Sequence, residues 1–438
     1  MALFLPTFPG GLHPPERKLT ARQPSEPCPL PEQLIVPLAQ HIGAPALPCV
    51  AVGQHVGKGE VLGQAKGFVS VPVHAPTSGE VVAVEPRPHP QGRALPAVVI
   101  RPDGADAWVE TLAPADPATL SVEELVERIR AAGVVGMGGA TFPTHVKLTP
   151  PADKPIHTLL VNGVECEPYL TADHRLMLEE PERLLAGIAI VRRILGVERV
   201  VIGIEANKPD AIALLTERCA GLDIAVTALA VKYPQGSEKQ LIHVLTGRQV
   251  PSGGLPMDVG VVVQNVATLT AVADAVSDGR PLIERLCTVT GPALRTPKNL
   301  RIRVGTPLKH LVDVCGGLTA APGMIVLGGP MMGQAQLSLE VPALRGTSGV
   351  LVLRPTDLAL APEGPCIRCA RCVQACPIRL APTTIAACAR LERFAEAEQR
   401  RALDCIECGS CSYTCPAGLP LVQAIRHAKA TILARRRR

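Results

Sequence analysis

"GPCIRCARCVQACPIRLAP", Gly364–Pro382, places Cys366, Cys369, Cys372 and Cys376 within eleven residues and follows the last with Pro377. Cysteines this dense and this regular need a partner, whether other thiols or metal. A second run, "CIECGSCSYTCPAG", repeats C-x2-C-x2-C-x3-C-P with Cys405, Cys408, Cys411, Cys415 and Pro416. Two-residue gaps let consecutive thiolates point at one centre, and the proline-linked fourth cysteine reaches the neighbouring one. Zinc sites show paired C-x2-C units with no third cysteine, and disulfides are disfavoured in a chain with no export signal. The spacing predicts two 4Fe–4S clusters. One takes Cys366, Cys369, Cys372 and Cys415; the other takes Cys405, Cys408, Cys411 and Cys376.

The remaining cysteines (28, 49, 166, 219, 287, 315 and 388) share no such spacing and read as small apolar residues. Between the two runs, TTIAACARLERFAEAEQRRALD has a helical pattern with Leu391, Phe394 and Leu403 among alanines and charges. After Pro416, Leu421, Val422, Ile425, Ile432 and Leu433 form a stripe, which suits packing on the cluster domain or docking on a membrane surface.

With 438 residues the chain exceeds one core, so three or more domains are expected. Its 44 prolines and 39 glycines favour short elements and many turns. No stretch is long and apolar enough to span a bilayer, and MALFLPTFPGG lacks the basic start of a secretory signal. A cytoplasmic location is expected. Four of the +5 formal charges lie in Arg435–Arg438, leaving a body near +1 that argues against nucleic-acid binding. That tail suits anionic headgroups, an acidic partner or plain solvation.

Single-electron centres need a donor site upstream. SVEELVERIR (121–130) reads as an N-capped helix and leads into GVVGMGGATFPTHVKL, with Gly136, Gly138 and Gly139. A helix before the glycines fails the context of a dinucleotide fingerprint, which requires a strand. The glycines still allow backbone N–H groups to approach a phosphate or flavin, with Lys147 pairing a phosphate. Beyond them, strand and helix patterns alternate: HTLLVNG, PERLLAGIAIVRRILG, VERVVIGIEAN, PDAIALLTERCA, IAVTALAVKYPQG, SEKQLIHVLTG. This βαβαβα order predicts a parallel sheet covered by helices. Ligands of such sheets bind beyond the strands' carboxyl ends, where Asn162, Glu165, Glu167, Tyr233 and Glu238 gather. Taken singly, each of these also reads as a helix cap or a solvated loop charge.

GMGGATFPTHVKL and NGVECEP resemble the glycine loop and acidic strand end of the flavin- and NADH-binding subunit of respiratory complex I. FPGGLHPPERK, YPQGSEKQLIHVLTGR, VPSGGLPMDVGVVVQNVATL and the paired cysteine runs resemble, in order and over nearly the whole chain, the C-subunit family of Rnf (Rsx) electron-transport complexes. The resemblance implies FMN on Gly136, Gly138, Gly139 and Lys147, with Asn162, Glu165, Gln264, Asn265 and Thr268 around its ring and ribityl chain. It implies that Glu167, Tyr233, Gly236 and Glu238 face the nicotinamide nucleotide. Met137 stands where the complex I loop has an arginine, and Val164 replaces an acidic residue.

The fold expected is multidomain α/β plus small β domains. An N-terminal segment (1–30) precedes a biotinyl/lipoyl-like β-sandwich (31–115), in which Lys66 lacks the flanks of a lipoylated lysine. An FMN/NADH-binding parallel-sheet α/β domain (118–285), a β-grasp domain (286–360) and a helical two-cluster ferredoxin domain (361–438) follow. GGPMMGQ (328–334) is either a loop near the cofactor or a bend. By resemblance, NADH passes hydride to FMN, and the clusters relay single electrons to or from a ferredoxin-type carrier. The chain would be a peripheral subunit on the cytoplasmic face of the inner membrane. Its partners would be membrane-embedded and peripheral subunits, and ion movement would belong to the complex. A cobalamin reductase-like protein and a non-catalytic iron–sulfur adaptor are the alternatives.

Overall fold

The computed structural model describes residues 5–109, 113–358 and 362–436. Met1–Phe4 and two arginines of the basic tail, Arg437 and Arg438, lie outside them, as do positions 110–112 and 359–361 at the ends of the expected sandwich and β-grasp domains.

The alternating stretch forms a four-stranded, all-parallel sheet in the spatial order Ile224–Leu229, Arg199–Glu205, Thr158–Asn162, Val261–Asn265. Period-2 alternation assigns the side chains of each strand to two separate cores. Leu159, Val161, Val200, Ile202 and Val262 join Leu184, Ile188, Leu269 and Val272 on one side. Leu160, Val201, Val261 and Val263 join Leu241 and Ile242 on the other. Burial on both faces explains why these strands read as unbroken apolar runs. The fourth strand, Val261–Asn265, lies outside the strand–helix alternation read from the sequence and adds on the far side of the first. It pairs Gln264 with Val161 and Asn265 with Asn162. The carboxyl ends of all four strands therefore share one edge of the sheet.

Two helices, Pro181–Leu195 and Val266–Ser277, cover the first of these faces. They cross closely because Gly187 has no side chain: a β-carbon there would lie 1.9 Å from the Leu269 carbonyl oxygen.

Ahead of the parallel sheet, a four-stranded sheet (Leu34–Pro37, Arg93–Pro102, Gly79–His89, His55–Val56) and a three-stranded one (Leu47–Pro48, Val61–Gln64, Val73–His74) enclose Leu34, Val36, Leu62, Val73 and Ile100. Beyond it, a six-stranded mixed sheet packs with the Leu308–Val314 helix. The N-terminal segment contributes an edge strand to that sheet, Ser25–Pro27, paired with Asn299–Arg301. Arg345 is fully buried and joins three units, its Nη1 donating to the carbonyls of Pro72 and Gly133.

The C-terminal part is helical, and the helical pattern between the cysteine runs forms two helices, Pro382–Arg390 and Phe394–Gln399, followed by a short 3-10 turn. The chain reverses at Glu392, which adopts φ 55°. This turn buries Phe394 beside Ile385 and Ile432 and leaves Leu391 exposed. Leu421, Val422, Ile425 and Ile432 of the last helix, Leu421–Arg436, are buried within the domain, while Leu433 is exposed. The stripe is thus used internally rather than offered to a membrane. Cys49 departs from the expectation of a small apolar core residue, being exposed, whereas Cys219, Cys287, Cys315 and Cys388 are buried.

Gly187→Ala forces a methyl into the Leu269 backbone and should destabilise the chain by about 1–3 kcal/mol, read as a lower denaturant midpoint with unchanged slope.

Candidate functional site

The two cysteine runs share a backbone pattern. In each, the second residue after the first cysteine (Arg368, Glu407) and the fourth (Ala370, Gly409) have φ between 55° and 76°. Left-handed steps of this kind can turn successive N–H groups toward a negatively charged centre. Cys376, Cys405, Cys408 and Cys411 converge on an apolar cavity lined also by Pro377, Ile378, Leu380, Val422 and Ile425. N–H groups of Leu380 and Glu407 reach the sulfurs of Cys376 (3.3 Å) and Cys405 (3.4 Å). Burial pushes the Cys405 thiol up to about 11 and Cys411 to about 12, with the neighbouring cysteines adding to the rise. Lone thiolates are costly here, so these donors suit a cationic iron centre that holds them ionised. Four soft sulfurs around one dry space fit a 4Fe–4S cluster.

The other four cysteines are arranged differently. Cys372 is buried and packs with Cys415 among Leu419, Leu421 and Val422. The Gly364 N–H donates to the Ala417 carbonyl (2.9 Å), so the start of the first run lies against the end of the second. Cys366 and Cys369 are exposed. The same donor set fits a second cluster, nearer to solvent than the first.

At the carboxyl edge of the parallel sheet, most of the residues expected around a flavin form one connected set. The Gly136 N–H closes the glycine loop onto the Phe142 carbonyl (2.8 Å). Gly138 lies against Asn265, and Gly139 has φ 120° with open space around it. Met137 N–H donates to the buried Thr268 hydroxyl (2.9 Å). Asn265 caps the Val266–Ser277 helix and donates to Asp173 (2.7 Å). Lys147 reaches Glu238 (2.7 Å) and the Val263 carbonyl (2.9 Å). Asn162 donates to the Gly236 carbonyl (2.8 Å). Gln264 is buried, and its Nε2 finds no partner among the described residues. An orphaned buried donor beside an open glycine loop fits a polar ligand such as FMN.

Three residues expected at the cofactor or nucleotide are engaged within the protein. The Glu165 carboxylate accepts from the Asp173 (2.8 Å) and His174 (3.2 Å) N–H groups, capping the Ala172–Glu179 helix. Glu167 accepts from the N–H groups of Met331 (3.0 Å) and Met332 (2.8 Å), which ties it to the GGPMMGQ loop. Burial raises its carboxyl to about 7. The Tyr233 hydroxyl, fully buried, donates to the Cys408 carbonyl (2.7 Å).

That last bond is one of several that hold the cluster domain against the parallel sheet. Gln240 donates to the Pro377 carbonyl (3.2 Å) and the Gly11 N–H to the Ala375 carbonyl (2.9 Å), while the N-terminal segment that carries Gly11 is itself held to the α/β domain by both backbone bonds between Leu12 and Tyr233. A β-carbon on Gly10 would lie 2.8 Å from the Cys376 carbonyl oxygen, and one on Gly409 2.9 Å from that of Met331. Sequence reasoning missed Lys18, whose ammonium donates to the carbonyls of Glu165, Glu167 and Leu170 (2.6–2.8 Å). It also missed Lys208, which donates to the Val164 carbonyl (2.8 Å) beside Glu205. Their signal was present: a lysine inside FPGGLHPPERK and another in the strand end EANKP.

Residues 6–105 match the model of the RnfC barrel sandwich hybrid domain. Residues 129–274 match the Nuo51 FMN-binding domain, 286–335 the SLBB domain and 365–420 the 4Fe-4S dicluster domain. The C subunit of the proton-translocating ferredoxin:NAD(+) oxidoreductase complex of Clostridium ljungdahlii is 49% identical over 97% of this chain and 94% of its own length. The chain belongs to the RnfC family. Two further RnfC-family relatives agree. The C subunit of the Na(+)-translocating ferredoxin:NAD(+) oxidoreductase complex of Acetobacterium woodii is 46% identical, covering 99% of this chain and 98% of its own. The C subunit of an ion-translocating oxidoreductase complex of Rhodobacter capsulatus is 45% identical, covering 98% and 84%. In fold, a chain of an NAD+-reducing [NiFe]-hydrogenase in the H2-reduced state superposes with TM-score 0.52 at 21% identity, over 72% of this chain and 63% of that one.

Two outcomes follow for the RnfC-family chain. Glu167 sheds its proton near pH 4.5 when unfolded but near 7 when folded, so wild-type stability should fall as pH rises between those values. Relative to the non-titrating Glu167→Gln, the loss should be on the order of 3 kcal/mol, checked by denaturant titrations across that range. Tyr233→Phe strands the Cys408 carbonyl, at a cost of about 1–3 kcal/mol, and should shift the midpoint potential of one cluster while iron content is unchanged.

Proposed function

We propose that this chain is the peripheral electron-input subunit of an ion-translocating ferredoxin:NAD(+) oxidoreductase complex, seated on the cytoplasmic face of the membrane. Among the described residues no helix is long and apolar enough to cross a membrane. Ion movement would therefore rest with other subunits. The six-stranded sheet with its helix is taken as a β-grasp unit (286–360), between an α/β domain (118–285) and a ferredoxin-like domain (361–438), with a sandwich (31–115) ahead of them.

Gly136, Gly138, Gly139, Lys147, Asn162, Gln264, Asn265 and Thr268 would hold FMN, with Gly236 and Glu238 toward the nicotinamide nucleotide. FMN supplies the conversion between two-electron hydride exchange and one-electron transfer. Glu165, Glu167 and Tyr233 would act through position: the first fixes the strand-end loop, the second ties it to the 331–332 turn, and the third seats the inner cluster loop. Lys147 would exchange part of its Glu238 contact for a phosphate. The observation that carries the reading is the apolar four-cysteine cavity pinned to the sheet's carboxyl edge by Tyr233 and Gln240. An electron leaving that edge meets the inner cysteine set first and the exposed set second.

The test is an anaerobic NADH titration of the cluster-reconstituted chain, with and without added FMN, followed by visible absorbance and EPR. FMN-dependent bleaching with a reduced-cluster signal is expected. Clusters that only dithionite reduces, even with FMN present, would leave a non-catalytic adaptor. Gly138→Val with Gly139→Val should weaken FMN binding at least roughly tenfold, about 1.4 kcal/mol, by fluorescence quenching.

A further inference from the structure

One carboxylate at the carboxyl edge of the parallel sheet has no partner of opposite charge. Asp173, in the first turn of the Ala172–Glu179 helix, is half-buried and forms no ion pair among the described residues. Its Oδ2 accepts from Asn265 Nδ2 (2.7 Å), and the Ala267 N–H on Asn265 Oδ1 (2.9 Å) fixes the orientation of that amide. Asn265 also lies against Gly138, so one side chain separates Asp173 from the glycine loop. The other oxygen, Oδ1, has no partner among the described residues and is not closed off from solvent. The neighbouring Glu165 has both oxygens taken by the Asp173 and His174 N–H groups. Of these two carboxylates only Asp173 keeps a free oxygen. The same edge carries a second unmet group: Gln264, next to Asn265, is buried with its Nε2 unpartnered among the described residues. Both lie within the span that matches the FMN-binding domain.

The charged groups that face Asp173 come from three other elements. They are Glu165 on the loop after the Thr158–Asn162 strand, Arg285 in the Glu284–Thr290 strand and Lys208 at the start of the Pro209–Arg218 helix. On its own helix, His174 turns Nε2 to Asp210 (2.8 Å). Arg285 gives Nε and Nη1 to the Leu286 and Arg345 carbonyls, and Lys208 donates to the Val164 carbonyl, so neither cation is spent on Asp173. Burial raises the Asp173 carboxyl to about 7, and the charge of Glu165 adds to the rise. A group in that range gains and loses a proton with little penalty either way at neutral pH.

We propose that Asp173 is the proton-exchange group of the flavin site, binding a proton on Oδ1 as electrons leave the flavin and releasing it to water. The inference rests on the proposed function and adds to it a residue that the glycine loop and strand ends did not single out. In that function a hydride enters the site and two electrons leave it singly for the 4Fe–4S clusters, so one proton per NADH stays behind. A flavin N–H bond breaks, an Asp173 O–H bond forms, and the O–H proton then passes to water. In the reverse direction the same oxygen supplies the proton.

The test uses the full chain with reconstituted clusters and FMN, reduced electrochemically in an infrared cell on either side of about pH 7. Above that pH the reduced-minus-oxidised spectrum of the wild type should gain a protonated-carboxyl band that shifts in D2O, because the charge arriving with the electrons favours the protonated form. Asp173→Asn should lose the band and Asp173→Glu should move it. Asp210→Asn, which removes the partner of His174 on the same helix, should leave it in place. In stopped-flow mixing with NADH and a pH-indicator dye, Asp173→Asn should slow proton release at least roughly tenfold, and Asp173→Glu should recover most of the loss. Fluorescence quenching reports whether each variant binds FMN. Should Asp173→Asn lose FMN and Asp173→Glu keep it, the position of the Asp173→Glu band decides. A wild type without the band, a band that neither variant at 173 alters, or proton release unchanged in Asp173→Asn would overturn the inference. So would loss of FMN from both variants at 173, which would make Asp173 a binding residue only. A wild type that shows the band electrochemically but is not reduced by NADH would instead overturn the proposed function and leave the proton-exchange role standing.

Discussion

The hydrogen bond from the Tyr233 hydroxyl to the Cys408 carbonyl joins the two halves of this molecule's chemistry. Tyr233 lies in the connection between the Ile224–Leu229 strand and the Glu238–Thr246 helix, pairs its backbone with Leu12 and reaches the cluster domain with its hydroxyl. Its hydroxyl is out of water, so it must find an acceptor, and burial holds it protonated as a donor. The acceptor is the backbone of a cysteine-bearing loop of the 4Fe-4S dicluster domain. With Gln240 on Pro377 and Gly11 on Ala375, this fixes the inner cysteine set against the edge where the strands end. Electron transfer falls steeply with distance, so such rigidity matters more here than strength.

The same region concentrates charge out of water. Glu165, Glu167 and Glu205 lie near Lys18 and Lys208, and each carboxylate meets N–H donors or an ammonium. Lys18 spends its three protons on three carbonyls of one loop. A buried ammonium so used is a positioning device: it holds the 165–170 loop in one shape, at the cost of a lowered affinity for its own proton. The N-terminal segment that carries it runs from the sheet edge to the six-stranded sheet, and so ties the flavin-type and cluster-type parts to a common frame.

Much of the architecture was legible because it is written locally. Cysteine spacing is a local signal, and so is strand–helix alternation, so the cysteine runs and three of the four parallel strands could be read directly. The fourth strand was missed because Val261–Asn265 follows a long loop and pairs with the first strand, about a hundred residues earlier. The gathering of Asn162, Glu165, Glu167, Tyr233 and Glu238 at one edge followed from topology. What Glu167 and Tyr233 touch did not, because Met331, Met332 and Cys408 lie more than 160 residues away in the chain. Residues of this kind look the same in sequence whether they contact a ligand or hold a neighbouring domain. The break at Glu392 was likewise hidden, since its cause is the burial of Phe394 against a helix that comes later.

In the proposed route, the set of Cys376, Cys405, Cys408 and Cys411 stands between the sheet edge and the more exposed cysteine set. Rapid-freeze EPR of two cluster-deletion variants, mixed with NADH and FMN, decides that order. Cys369→Ser, which removes the outer cluster, should leave the inner one reducible by NADH at close to the wild-type rate. Cys405→Ser, which removes the inner cluster, should leave the outer one reducible by dithionite but not by NADH. An outer cluster that NADH still reduces at full speed without its inner neighbour would contradict the order and the role given to Tyr233.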